Sequence, residues 1–139
     1  MRGRHLIKHW ASTQKTVTLS SGEAELAGLV KGSAEGLGML SIGLDLGIGG
    51  GLTVLADSSA AIGICRREGI GRVRHLAVGQ LWVQERVREG DFRLEKQPGE
   101  ENPADLMTKH LDRQSIGKHL VFMGLAEEGG RATSAPKIG

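Results

Sequence analysis

Three carboxylates in this sequence lie where predicted elements begin or end. Glu25 falls in the first turns of a helix that follows a short alternating segment, Thr16–Leu19. Asp57 comes directly after the apolar run LTVLA, and Asp105 lies near the start of a later helix. Carboxylate oxygens are the hard ligands that Mg²⁺ prefers. If these side chains converge, they predict a metal site at the edge of a sheet.

Each carboxylate also has a simpler explanation that involves no metal. Glu25 can be a glutamate at the boundary of an apolar helix stripe, favoured by the helix dipole. Asp57 can be the N-cap of the next helix. Asp105 can be an acid favoured at a helix amino terminus. Glu23 is interpreted as the capping-box acid of this first helix and not as a ligand.

A cluster of cations in the middle of the chain is the second candidate for chemistry. Its members surround glycines and are accompanied by a single acid, Glu68. Lysine and arginine contacts to phosphates supply most of the nonspecific affinity for nucleic acids. A solvated helix end whose cations complement the dipole is the alternative. The predicted nucleic-acid-binding residues are Arg66, Arg67, Arg72, Arg74 and His75.

The elements that must position these residues alternate between strands and helices. The order is β-β-α-β-α-α-β-α, which predicts an α/β fold with helices covering a sheet. Period-two patterns predict strands at His5–Ala11, Thr16–Leu19, Leu52–Ala56 and Asp91–Gln97. Period-3.6 patterns and caps predict helices from Ser20 to beyond Leu40, from Ser58 or Ser59 to Arg67, over His75–Glu89, after Asn102–Pro103, and, weakly, over Ser115–Leu125.

Composition limits the class of protein. The chain has 139 residues, a net charge of +2 and one cysteine. This length suits one domain, and a single cysteine excludes an internal disulfide, which fits a reducing compartment. Cys65 and Trp82 are predicted in the core, with Trp82 on an apolar face shared with Val78 and Leu81. The glycine run 47–51 precedes a strand instead of following one, so it predicts a loop and not a phosphate cradle.

Three segments, taken in order, resemble a known family. They are KHWASTQKTVTLSSGEAELAGL, LTVLADSSAAI and VRHLAVGQLWVQERVREGDFRLEKQPGEENPADLMTKHL. Together they resemble the ribonuclease H domain of copia-type LTR retrotransposon polyproteins. The resemblance covers about Trp10 to Leu111, and the combination of SSGEAE with ADLMTK is its most specific part.

The resemblance implies a fold, a reaction and partners. The fold is ribonuclease H-like, a mixed β-sheet flanked by helices, over residues 5–111, with a helical extension at 112–126 and a disordered tail at 127–139. The reaction is hydrolysis of the RNA strand of an RNA–DNA hybrid by four carboxylates that hold two Mg²⁺ ions, with Mn²⁺ as a substitute. Glu25, Asp57 and Asp105 match three of those carboxylates. The implied partners are the hybrid and the reverse transcriptase portion of the parent polyprotein, inside the cell in a cytoplasmic particle or the nucleus, with no membrane.

The sequence also departs from the family pattern. The family's first catalytic aspartate lies on an opening strand upstream of the Trp-x-Ser piece. None of the nine residues before Trp10 is acidic, so this strand is expected to be missing. Ala77 and Gly38 replace two further residues of the pattern, an aspartate and a tryptophan. We therefore expect impaired cleavage. The alternative is an inactive retroelement remnant or a weak nucleic-acid-binding module.

Overall fold

The computed structural model describes five stretches of the chain and groups it into two compact units. One unit spans residues 13–100, and the other combines residues 1–12 with 101–139. The predicted strand Thr16–Leu19 and the predicted disordered tail lie outside the described residues, and the predicted domain boundaries at 111 and 126 stay predictions. The described stretches are residues 1–3, 5–10, 21–69, 77–107 and 109–126.

The first helix, α1, spans Ser21–Asp45 and confirms the predicted apolar stripe. It ends in a Schellman motif, in which the N–H of Ile48 donates to the carbonyl of Gly43 at 2.8 Å and that of Gly47 to Leu44 at 2.9 Å. Gly47 has a φ of 72°, a left-handed conformation that favours glycine. Gly47, the first residue of the glycine run, therefore terminates α1. This agrees with the predicted loop over residues 47–51.

Two parallel strands form the described sheet. β1 spans Leu52–Ala56 and β2 spans Phe92–Lys96, with Val54 opposite Leu94. Parallel neighbours need a long crossover. Here the crossover contains α2, Ser59–Arg66, and α3, Ala77–Glu89. The described sheet is therefore parallel, whereas the sequence predicted a mixed one.

The core of this unit lies between one face of the sheet and the three helices. It is aliphatic apart from Phe92, as the scarcity of aromatic residues predicts. The predicted core position of Cys65 is confirmed, and burial raises the pKa of its thiol to about 11. The buried members come from the three helices and β2, and side chains of β1 pack against them partly buried: Leu26, Leu29, Ala61, Ile62, Cys65, Val83, Phe92 and Leu94.

Two sequence predictions are wrong within the described residues. Residues 6–10 form no strand, and His5 makes only an isolated bridge to Arg2. The described part of their unit contains no strand for them to pair with, and an unpaired strand is not stable. On α3, Val78 is 84% exposed and Leu81 is also exposed, so the predicted apolar face is not the packed face. Trp82 is half-buried against the core.

The remaining elements are short. One 3₁₀ turn spans Gly99–Glu101, and a second, Pro103–Met107, stands where the sequence predicted a helix after Asn102. The Asn102 Oδ1 atom accepts from the N–H of Ala104 at 3.1 Å, as a cap does. α4 spans Arg113–Phe122, so it begins before the predicted start at Ser115.

The cap of α4 is Asp112. Its carboxylate accepts from the N–H of Ser115 at 2.7 Å, and this backbone hydrogen bond, followed by one from the Ser115 side chain, lowers the pKa of Asp112. Among the described helices, none has a stretch long and apolar enough to cross a membrane.

Candidate carboxylate site

The site at Glu25 and Asp57 depends on how α1 packs along β1. Residues 46–51 are a short connection between them, so the helix and the strand run in opposite directions. Gly36 on α1 marks the contact, because a Cβ built there would lie 2.9 Å from the terminal methyl carbons of Leu52. Leu52 is the first residue of β1. The amino end of α1 therefore lies at the carboxyl end of β1.

This packing brings Glu25 and Asp57 to the same end of the unit. Glu25 precedes Gly36 by roughly three helical turns, or about 16 Å, and lies on the same stripe of the helix. Asp57 lies about 17 Å beyond Leu52 if the strand rises at the usual rate. We infer that Glu25 and Asp57 lie at about the same height along the strand direction, with Glu25 on the side of α1 that faces β1.

The surroundings of the two carboxylates favour access from solvent. Glu25 is exposed and Asp57 is half-buried. The N-cap of α2 is Ser58, whose hydroxyl accepts from the N–H of Ala61 at 3.2 Å. Capping therefore does not explain Asp57. Glu23, by contrast, is buried in the first turn of α1, and its predicted capping partner lies outside the described residues.

A cation that the sequence prediction did not include lies at the same end. Lys96 ends β2 directly opposite Ala56, the residue before Asp57. Its ammonium donates to the hydroxyl of Ser59 at 2.7 Å. Lys96 was missed because strand alternation places it on the same face as Phe92 and Leu94 and does not show what lies opposite the end of the strand. Its relevance comes from the register with β1.

Asp105 belongs to the other unit. Only 13% of its side chain is exposed, and its carboxylate accepts from the ammonium of Lys109 at 2.9 Å. The two residues are one helical turn apart, and the backbone N–H of Lys109 donates to the carbonyl of Asp105 at 2.9 Å. Across the described residues, no group of three or more His, Cys, Asp or Glu side chains is placed to hold a metal ion. Glu25 and Asp57 therefore belong to one unit, and Asp105 belongs to the other unit, where it forms an ion pair with Lys109.

The basic segment is described only in part. The guanidinium of Arg66 donates to the carbonyl of Leu94 at 2.7 Å. That carbonyl lies on the outer edge of β2, because Gln97 uses its N–H, at 2.9 Å from the carbonyl of Ala56, on the opposite side. Arg66 thus covers a sheet edge, a role the sequence prediction did not include. Arg67 is exposed at the C-cap of α2, and the other three predicted residues, Arg72, Arg74 and His75, lie outside the described residues.

Two buried glutamines hold the start of this segment. The amide of Gln80 donates to the carbonyl of Gly69 at 2.9 Å. The amide of Gln84 donates to Gly69 at 3.1 Å and to Ile64 at 2.8 Å. Gln80, Val83 and Gln84 are the positions of α3 that pack inward. The i, i+4 spacing of the two glutamines is a signal for one shared helix face, but apolar patterning does not detect it.

Comparison with known proteins gives a likeness to a retroelement polyprotein. The chain is 31% identical, over 119 residues, to the retrovirus-related Pol polyprotein from transposon TNT 1-94 of Nicotiana tabacum. The aligned region is 82% of this chain but 9% of that polyprotein. No protein-family model matches the chain, and no solved structure matches it. The likeness supports a retroelement polyprotein origin for this chain.

Proposed function

We propose that this chain derives from the ribonuclease H domain of a copia-type retroelement. In the parent protein that domain would cleave the RNA strand of an RNA–DNA hybrid with metal ions held by Glu25, Asp57 and Asp105. For this chain alone, we propose a weak metal site and little or no cleavage. The observation that supports the proposal is the close approach of Gly36 on α1 to Leu52 at the start of β1, from which we infer that Glu25 and Asp57 lie at the same end of the unit.

The donor set at that end suits a partial magnesium site. Mg²⁺ keeps several waters and is often bound by one or two carboxylates together with substrate phosphates. Glu25 is accessible, Asp57 is half-buried, and the N-cap of α2 is Ser58. When bound, the metal ions supply an activated water and stabilise the leaving oxygen. The carboxylates orient and charge-balance the metal, and Lys96 adds a cation close to where a phosphate would lie.

One edge of the described sheet could pair with a further strand. The carbonyl of Ala56 points toward β2, so the backbone groups of Thr53 and Leu55 point to the other edge of β1. No described strand pairs with that edge. A strand added there would end beside Asp57, and an aspartate on it would face Glu25. Such a strand, from the parent polyprotein or from a partner chain, would complete the carboxylate set.

Metal binding by the chain itself tests the core of the proposal. We expect Mn²⁺, followed by electron paramagnetic resonance, to bind with an affinity that Glu25→Gln and Asp57→Asn each reduce by about tenfold, or about 1.4 kcal/mol. Glu95→Gln is the matched control, because Glu95 is an exposed acid of β2. It is expected to leave the affinity unchanged. Binding that neither site variant alters would contradict the proposal.

Cleavage of a labelled RNA–DNA hybrid tests the predicted impairment. We expect the chain to cleave poorly or not at all with Mg²⁺ or Mn²⁺, because no group of three or more carboxylate, histidine or cysteine side chains among the described residues is placed to hold a metal ion. Robust cleavage that disappears in Asp57→Asn would show that the impairment is wrong while supporting the assigned site. A parent-frame protein that includes the upstream strand is expected to cleave, and to lose that activity in Glu25→Gln.

A catalytically inactive nucleic-acid-binding module is the second candidate. It is favoured by the ion pair that engages Asp105 and by the exposed Arg67 at the start of the basic segment. A gel-shift assay in EDTA separates the two. Metal-independent hybrid binding that Arg67→Ala weakens and Asp57→Asn leaves unchanged would favour this second function.

A further inference from the structure

The carboxyl-terminal half of α1 extends beyond the sheet and exposes aliphatic side chains. Ile42 is 58% exposed and Leu46, in the turn that ends the helix, is 70% exposed. Met39 is also exposed, and no charged residue occurs between Glu35 and Asp45. A soluble helix normally places polar residues on its outer face. This face therefore differs from an ordinary solvated helix surface.

The exposed face continues toward the amino end of α1 as a stripe with a regular spacing. Gly28, Gly32, Met39, Ile42 and Leu46 are separated by four, seven, three and four residues. This is the spacing of a coiled-coil seam, with Glu35 at the position between Gly32 and Met39. A Cβ built at Gly28 or Gly32 meets no atom within 4 Å. The stripe thus has a shallow half made of glycines and a raised half made of aliphatic side chains.

We propose that this stripe is the interface of an antiparallel homodimer, with a second copy of the chain as its occupant. In a two-fold pairing centred near Leu37, Gly28 lies opposite Leu46 of the second copy, and Gly32 lies opposite Ile42. Each raised half then fills the shallow half of the other helix. Such self-complementarity is what a two-fold interface requires, because the same surface serves both partners. The proposal is independent of the proposed nuclease function.

The stripe is small, because the exposed aliphatic side chains on each copy are Met39, Ile42 and Leu46. Small interfaces are typical of weak or transient association. We accordingly expect a dissociation constant on the order of micromolar to tens of micromolar.

Charge placement supports the antiparallel arrangement. Asp45 lies in the last turn of α1, where the helix dipole disfavours an acid, and no basic residue occupies that turn. Lys31 lies on the same flank of the helix. In the two-fold pairing, Lys31 comes within about one helical turn of Asp45 of the second copy. The two ends of the interface therefore bring opposite charges together.

Sedimentation velocity of the chain between about 5 and 200 µM tests the proposal. We expect a concentration-dependent monomer–dimer equilibrium that Ile42→Lys weakens at least tenfold. Val78→Lys is the matched control, since Val78 is a still more exposed aliphatic residue on a different helix, and we expect it to leave the equilibrium unchanged. A chain that stays monomeric at 200 µM overturns the proposal and leaves this face to a different partner.

The glycines provide a second test that separates folding from association. In the monomer, Gly28→Ala with Gly32→Ala meets open space and improves helix propensity, so the thermal midpoint at low concentration is expected to rise. In the dimer the added methyl groups fill the shallow half, so the dissociation constant is expected to increase at least tenfold. A variant that is stabilised and dimerises as well as the natural chain contradicts the proposed contact.

Disulfide trapping tests the register. The native thiol of Cys65 is buried and is not expected to react. Mixed Gly32→Cys and Ile42→Cys chains are expected to form the heterodisulfide in preference to either homodisulfide. Preferential Ile42→Cys homodisulfides would indicate a parallel arrangement and overturn the proposed one.

Discussion

The two halves of α1 have similar apolar content but different surroundings. In the first half, Leu26 and Leu29 are buried against the sheet and the other helices. In the second half, Ile42 and Leu44 are more than half exposed. The first half also carries Glu25 level with Asp57, whereas the second half carries no candidate ligand before Asp45. One end of α1 therefore contributes to the core and to the candidate site, whereas the other end forms an exposed apolar surface.

The difference follows from a mismatch in length. α1 has 25 residues and is about 37 Å long, whereas the five-residue strand β1 is about 17 Å long. A short sheet covers only part of a long helix. Leu37 is near the last position that still packs against the core. Burial in this helix is thus set by the extent of the sheet, and the apolar stripe alone does not define it.

The largest effect is expected when one aliphatic side chain is truncated in each half of α1 and the losses of stability are compared. Leu26→Ala removes a side chain that is 1% exposed, and we expect it to lower the free energy of unfolding by about 3–4 kcal/mol. Ile42→Ala is expected to change it by less than about 1 kcal/mol in the monomer. Urea unfolding at low protein concentration measures both. Equal losses would show that the second half packs as firmly as the first.

Alkaline pH should weaken the core beneath the first half of α1. The ordinary thiol pKa is 9.0, and burial raises that of Cys65 to about 11. Below about pH 8 both states keep the proton and stability is unaffected. Between about pH 9 and 11 only the unfolded thiol ionises, so folding loses up to roughly 2–3 kcal/mol. Urea unfolding at stepped pH measures this loss, and Cys65→Ala should lack the part due to the thiol.

A third contrast uses glycines of α1 in different surroundings. Gly28→Ala meets no neighbour and should stabilise the monomer by about 1 kcal/mol through helix propensity. Gly36→Ala brings a methyl group to 2.9 Å from the end of the Leu52 side chain, so most of that gain should be lost as Leu52 shifts. Thermal unfolding of the two variants gives the comparison. A larger gain for Gly36→Ala would show that α1 does not press on β1 there.

The smallest effect is expected at Ser58, the N-cap residue that lies between Asp57 and the first residue of α2. Ser58→Ala removes the hydroxyl that accepts from Ala61 and should cost about 0.5–1 kcal/mol. Asp57→Asn should change stability less, because Asp57 is not the cap. If urea unfolding shows a larger loss of stability for Asp57→Asn than for Ser58→Ala, Asp57 is the helix cap and the simpler explanation holds.

Local patterns predicted most elements of the unit at residues 13–100. The alternation of LTVLA and the stripe of α1 were sufficient, because each depends on one period and one packed face. The patterns failed on α3, where Gln80 and Gln84 occupy inward positions. A buried amide is stable there only because the carbonyls of Gly69 and Ile64 accept its hydrogen bonds. Periodicity carries no information about such distant acceptors.

The sequence was sufficient to predict which residues form the candidate site but not how they are arranged in space. Glu25 and Asp57 were identified from their places at a helix start and a strand end. Their shared level follows from the antiparallel packing of α1 on β1 through Gly36 and Leu52. Lys96 and the edge-covering role of Arg66 depend on strand register and on a hydrogen bond across 28 residues. Asp105 shows the limit, since its ion pair with Lys109 is local and leaves the predicted three-carboxylate cluster unsupported within the described residues.

By itself the sequence determined the order of the helices and strands from α1 to β2, the candidate carboxylates and the likeness to a retroelement polyprotein. These depend on local periodicity, capping chemistry and residue identity. Only the tertiary structure decided which part of α1 is covered, which face of α3 packs inward and which cation lies beside Asp57. Those outcomes depend on where elements of different length end in space, and the chain's local pattern does not encode that.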